Sequence, residues 1–191
     1  FYLKSKHRYV KRQNIDDTDI ARGLLKKAIE LDDNLILAKI LLGITYSDMG
    51  DYNEAMEIFI PAHKQAVKLG DKIGMGESLS RIGIVHYYKS DYDIALDCYG
   101  KSLVIREEIG DKPGMGQSLI CIGLVNGGKG DYDKALNYYG RSLAIYEELG
   151  DKAGMGSSFS NIGLVHANRR NSDTALDYFD KALVIQEELG D

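Results

Sequence analysis

Apolar residues recur along the chain at spacings of three and four, broken at regular intervals by short polar turns that contain glycine. Between residues 112 and 149, Met115, Leu119, Ile122 and Val125 fall on one stripe of an α-helix. Tyr132, Ala135, Tyr139, Ser142 and Ile145 fall on a second such stripe. The break Gly128-Lys129-Gly130-Asp131 predicts a helix stop, with Asp131 as N-cap of the helix that follows. Gly150-Asp151 predicts the same device at the far end: glycine closes one helix and aspartate caps the next. The predicted element is therefore a helical hairpin. Gly123 and Ala135 are its small contact residues, where a bulkier side chain would overpack.

The hairpin repeats. Gly70, Gly110, Gly150 and Gly190 are each followed by aspartate, as Asp71, Asp111, Asp151 and Asp191. Gly74-Met75-Gly76 returns as Gly114-Met115-Gly116 and Gly154-Met155-Gly156, always at forty residues. Gly43, Gly83, Gly123 and Gly163 keep the same register, as do Ala55, Ala95, Ala135 and Ala175. A fixed period of this size predicts stacked units in a single array over 1–191. The regular units are 34–71, 72–111, 112–151 and 152–191, behind a degenerate unit at 1–33. Pro61 lies inside a predicted helix and should kink it, whereas Pro113 falls in a first turn, where proline is tolerated.

With Gly123 as position eight of a unit, Leu119 is position four, Ile122 seven, Ala135 twenty, Tyr139 twenty-four and Ser142 twenty-seven. Phe159, Ile162, Gly163, Ala175, Phe179 and Ala182 fill the same places in the last unit. This pattern resembles the tetratricopeptide repeat over essentially the whole chain. The period is longer than the family's common thirty-four residues, by roughly six residues or about 9 Å of helix. Gly-Asp stands where proline usually closes a unit. The longer form is similar to the repeats of LGN/Pins spindle-orientation adaptors and of bacterial signalling proteins. The stretch Ala28-Ile29-Glu30-Leu31-Asp32-Asp33 resembles the entry into such arrays in bacterial nucleotide cyclases and kinases. The fold implied is all-α, a right-handed superhelical solenoid of stacked antiparallel helix pairs.

Composition narrows the function. A net charge of −5 and a pI near 5.4 oppose nucleic-acid binding, which calls for a basic stripe. Residues 1–13 do carry Lys4, Lys6, Arg8, Lys11 and Arg12, but Asp16, Asp17 and Asp19 follow at once. They read as the exposed side of a helix rather than an arm for acidic partners or lipid head groups. No apolar run is long enough to enter a membrane, and no secretory leader is visible, so the expected compartment is the cytoplasm. Cys98 and Cys121 occupy different faces of the pattern, so no disulfide is expected between them. His86 and His166 sit one per unit and suit packing rather than metal binding. The string Gly110–Ser118 lacks the lysine of a phosphate loop and occurs three times, as a scaffold feature does. No catalytic set is suggested by spacing, and neither cofactor nor metal is expected.

The resemblance implies that the first helix of each unit lines a concave face and binds a protein or peptide there. Carried over by position, the face comprises Leu41, Ile44, Glu77, Arg81, Ile84 and Tyr88 in the first half of the chain. Gln117, Cys121, Leu124, Asn161, Leu164 and Asn168 continue it in the second half. Position six varies as Leu41, Arg81, Cys121 and Asn161, beside the nearly constant Ile82, Ile122 and Ile162. The contrast predicts packing at one position and recognition at the other. The aliphatic ninth position lacks the polar residues of the family's carboxylate clamp, so a chaperone-tail receptor is not expected. The reading is a protein-interaction scaffold; the alternative is a regulatory or sensory segment of a larger signalling enzyme such as a nucleotide cyclase or kinase. Tyr178, Leu183 and Ile185 are expected to face outward from the last helix, so that the uncapped terminal unit drives end-to-end self-association. Asn126-Gly127-Gly128 is expected to fray the end of its helix.

Overall fold

In the computed structural model, residues 1–11 and 15–190 are described; Arg12 of the basic stretch and the final Asp191 lie outside them, as does the side chain of Asp16. The described residues form ten helices and no strand. They divide into two units, Phe1–Lys89 and Ser90–Asp191. The first unit holds α1 (Tyr2–Val10), α2 (Ile15–Leu31), α3 (Ile36–Ser47), α4 (Tyr52–Leu69) and α5 (Lys72–Tyr88). The second holds α6 (Tyr92–Glu108), α7 (Lys112–Gly128), α8 (Tyr132–Leu149), α9 (Lys152–Asn168) and α10 (Ser172–Leu189). Short turns fold consecutive helices against each other, pairing α3 with α4, α7 with α8 and α9 with α10. Alternate helices also touch, α3 with α5 and α7 with α9, so within each unit the first helices form one layer.

The turns differ in how they are capped. At the end of α8, Gly150 takes φ 64°, a conformation glycine adopts without strain, and the Asp151 amide closes onto the Tyr146 carbonyl. Asp71, Asp111 and Asp151 then cap α5, α7 and α9, each accepting from the amide three residues on at 2.9–3.1 Å. Asp131 does not act as expected. It makes no side-chain cap bond, and its carboxylate instead pairs with Lys134 at 3.1 Å. The α4 helix runs unbroken through Pro61.

Glycine placement explains the packing between helices. A Cβ on Gly123 would meet the Tyr139 ring at 2.5–2.9 Å, and one on Gly163 would meet the Phe179 ring at 2.8–3.2 Å. Ala135 is fully buried in the same hairpin, and a Cβ on Gly127 would lie 3.8 Å from its own. The Gly-Met-Gly motif does more than start helices. Gly114 lies under Arg106 of the preceding helix and Gly154 under Tyr146, while Gly116 receives the same Tyr146 ring from the other side. Buried serines stitch the seams: Ser142 donates to the Gly116 carbonyl, and Ser102–Ser118 and Ser142–Ser158 oxygens lie 3.4 Å apart. On the surface, Lys129 reaches back to Asp93 and Arg169 to Asp133. The Lys129 hydrogen bond holds the Asp93 carboxyl below its usual range.

On α10 the expected outward set is corrected. Ile185 is buried against Gly156, and Tyr178 is half-buried with its ring stacked on His166 at 5.7 Å. Only Leu183 of the three is exposed, and the large apolar side chains beside it are Leu176, Phe179 and Val184. The expectation miscounted the helix face, because the stripe packing inward runs through Ala175, Ala182 and Ile185.

Candidate functional site

In the first unit, the layer made by α3 and α5 carries a cleft of about 490 Å³. Ile44 and Ile84, both half-buried, give it aliphatic surface, and Arg81 and Tyr88 stand on α5. Four of the six site residues expected in this unit therefore line a single depression. The turn into α4 adds Ser47, Asp48, Gly50 and Tyr52. Tyr88 is 61% exposed, and its ring stacks on Tyr52 at 5.6 Å and 11°. Tyr87 meets Tyr88 edge-on at 5.7 Å.

The charges of the cleft are specifically held. Arg81 Nε and Nη2 both donate to Glu77 Oε1, at 2.9 and 2.6 Å, so Glu77 orients and neutralises the guanidinium. Asp48 accepts a hydrogen bond from the Tyr9 hydroxyl of α1. Burial raises the pKa of Tyr2 on the same helix, with the Glu77 carboxylate adding to the effect. Leu41 lies outside the cleft and packs half-buried against Leu25, Ala38 and Leu42, with Tyr2 on the same cluster.

In the second unit the expected residues are less alike. Cys121 is 5% exposed and sits in the core, where Gln117 donates to its sulfur at 3.7 Å. Its variability at position six reflects packing, not display. Leu124 packs half-buried against the Ile120, Tyr139 and Ile162 cluster. Asn161 is half-buried and donates to the Ser157 carbonyl of its own helix. Leu164 and Asn168 are exposed, as is Gln117. Both cysteines are buried thiols, not joined in a disulfide. Among the described residues, no cluster of histidine, cysteine, aspartate or glutamate is placed to hold a metal ion.

Sequence reasoning missed Tyr52, Ser47 and Gly50. Tyr52 recurs as Tyr92 and Tyr132, so it read as part of the packing stripe. The signal that would have found it is its partner: only the unit ending in Tyr88 supplies a ring to stack on it.

A tetratricopeptide-repeat family model matches residues 34–108 and again 74–148, and a second model of that description matches 156–190. The chain belongs to the tetratricopeptide-repeat family. Solved structures agree on the fold. The Rap protein complexed with competence and sporulation factor superposes with a TM-score of 0.90 at 14% identity, covering 100% of this chain and 54% of that one. A STAND signal-transduction ATPase with a tetratricopeptide-repeat sensor, from Pyrococcus horikoshii, gives 0.79 at 22% identity, covering 93% and 28%. MamA gives 0.59 at 25% identity, covering 98% and 91%. No curated protein matches the sequence. No helix among the described residues is long and apolar enough to cross a membrane.

Proposed function

We propose that this tetratricopeptide-repeat chain is a protein-interaction scaffold that binds a peptide or partner domain on its layer of first helices. The observation that carries the reading is the α3–α5 cleft. Ile44, Ile84, Arg81 and Tyr88 meet there around a depression large enough for one or two side chains of a ligand. The chemistry is that of a docking surface: aliphatic area for affinity, aromatic rings at low entropic cost, and fixed polar groups for orientation. The Rap structure similar to this chain in fold was solved as a complex with competence and sporulation factor, which supports the same use here. Leu164 and Asn168 form a separate, exposed patch in the second unit.

The test is affinity capture with the wild-type chain and with Ile84→Ala plus Tyr88→Ala. Partners retained by the wild type should be lost by the double variant at a melting temperature within a few degrees of wild type. Equal capture by both would refute the cleft assignment. A second reading, a sensory segment within a larger signalling protein, is favoured by the likeness to the repeat sensor of the STAND ATPase. The parent open reading frame decides it: a catalytic domain in the same chain is expected, and a repeat array alone would refute it.

A further inference from the structure

We propose that copies of this chain join head to tail, the basic outer face of α1 in one copy docking on the acidic outer face of α10 in another. The contact is separate from the α3–α5 cleft and goes beyond the scaffold reading. On α10, Leu176, Phe179 and Leu183 fall at spacings of three and four and are all exposed. The face differs from the set expected of the repeat pattern, since Ile185 is buried and Tyr178 half-buried. The repeat counterparts on α8 are covered. Tyr139 is buried, and Leu136 and Leu143 pack against a cluster that holds Ile162 and Val165 of α9. The α10 face is thus built like one that takes a helix. Beside it run Asp173, Asp180 and Glu187, one every seven residues and all exposed. Lys181, the one base of α10, lies over the Tyr178 and Phe159 rings instead.

The α1 helix presents the complement. Leu3 and Val10 are 78% and 72% exposed and lie seven residues apart on one side, while Ser5 and Tyr9 are buried on the other. Lys4 and Lys11 follow the two aliphatic residues at the same spacing, and His7 lies between them. No acidic residue occurs in Tyr2–Val10. Laid antiparallel, the two helices match in period. Val10 meets Leu176, His7 meets Phe179 and Leu3 meets Leu183, which brings Lys11 to Asp173 and Lys4 to Asp180. This placement of the charges has a precedent within the chain. Arg169, at the C-cap of α9, pairs with Asp133, the counterpart of Asp173, and Lys129, at the C-cap of α7, pairs with Asp93. Lys11 is the C-cap residue of α1. Because the two faces differ, each added copy leaves one α1 and one α10 exposed, so the assembly grows past a pair.

Sedimentation equilibrium of the intact chain reads the association. A contact of this size is weak, so the average mass should rise steadily between about 0.05 and 1 mM, through dimer toward trimer. Lys4→Glu with Lys11→Glu, or Asp173→Lys with Asp180→Lys, should lower the association constant about fivefold or more, since each pair of reversals replaces attraction by repulsion. The chain carrying all four reversals should regain it. The changed residues are exposed, so each variant should keep the wild-type circular dichroism spectrum. Leu3→Ser with Val10→Ser removes the apolar part of one face, and Leu176→Ser with Leu183→Ser that of the other. Each of these variants alone should stay monomeric, and their equimolar mixture should form a pair and stop there. A wild-type chain that remains monomeric over the whole range would overturn the inference, as would association indifferent to both charge reversals. Association that ends at a dimer, with the α1 variants behaving as wild type, would overturn it in favour of α10 pairing with α10. Each of these failures leaves the α3–α5 cleft reading standing.

Discussion

The two glycines at positions 123 and 140 lie on facing helices of one hairpin and should respond to alanine in opposite directions. An alanine Cβ at 123 would lie 2.5–2.9 Å from three carbons of the Tyr139 ring, where ordinary contact begins near 3.4 Å. Tyr139 is 2% exposed, so the ring has no solvent to move into. Overpacking of this kind costs about 1–3 kcal/mol, against about 1 kcal/mol gained from alanine's helix propensity. The net for Gly123→Ala is a loss of up to about 2 kcal/mol. At Gly140, inside α8, nothing lies within 4 Å of the added Cβ. Gly140→Ala should therefore keep the whole propensity gain, about 0.5–1 kcal/mol. Urea and thermal unfolding followed by far-ultraviolet circular dichroism read both, and Gly123→Ala should melt below the wild type and Gly140→Ala above it. Gly100→Ala, also in open space, repeats the Gly140 case. If Gly123→Ala is as stable as Gly140→Ala, the ring does not sit where the packing argument needs it.

Other expectations follow from the same contacts. Burial, with Asp151 nearby, raises the Tyr146 hydroxyl from 10.0 to about 12. The unfolded chain ionises first, so the contribution is full below pH 10 and is lost as pH rises to 12, about 2 kcal/mol in all. Tyr146→Phe should remove that share of the alkaline loss, and unfolding at pH 8 and pH 11.5 compares the two; identical losses in both proteins would refute it. Asp111→Ala removes both the Gly114 cap and the 3.0 Å pairing with buried Arg106, and should cost about 2 kcal/mol. Asp131→Ala loses no cap bond and should cost under about 0.5 kcal/mol; equal costs in denaturant unfolding would refute the distinction. Amides 126–130 should exchange faster than 86–90 or 166–170, and Gly127→Ala, whose Cβ meets only ordinary contacts at 3.8–3.9 Å, should slow them. Equal protection in the wild type would mean that Asn126, bonded to the Ile122 carbonyl at 2.8 Å, holds the helix end by itself.

What could be read beforehand was whatever repeats in kind. Helix pairs, glycine stops and the small residues Gly123 and Ala135 follow from identical residues at identical spacing. The Gly-Met-Gly sockets escaped notice because their occupants change. Ala66, Arg106, Tyr146 and Gln186 stand at one repeat position with no shared chemistry. Only coordinates show Arg106 over Gly114 and Tyr146 over Gly154. In the first unit four of the residues read as one face, Ile44, Arg81, Ile84 and Tyr88, line one depression, whereas Leu41 at the variable sixth position lies outside it. Cys121, at the same variable position, is buried, because variation between copies does not separate a side chain facing solvent from one repacked in the core. Tyr52 was hidden by the opposite effect, since a residue repeated for packing can be recruited locally by a single neighbour.

The seams of the second unit have a consequence for how such a chain changes length. Ser118 and Ser158 face partners of the same type, and Lys129–Asp93 and Arg169–Asp133 fasten successive hairpins in the same way. Each junction thus has nearly the same lock and the same key. Unequal exchange at the gene level can then insert or delete a forty-residue segment while every surviving junction finds a familiar surface. The interchangeability that makes this tolerable also operates during folding. A hairpin that skips its neighbour meets a compatible serine and a compatible charge, so order along the array is enforced by the brevity of the turns and not by the contacts themselves.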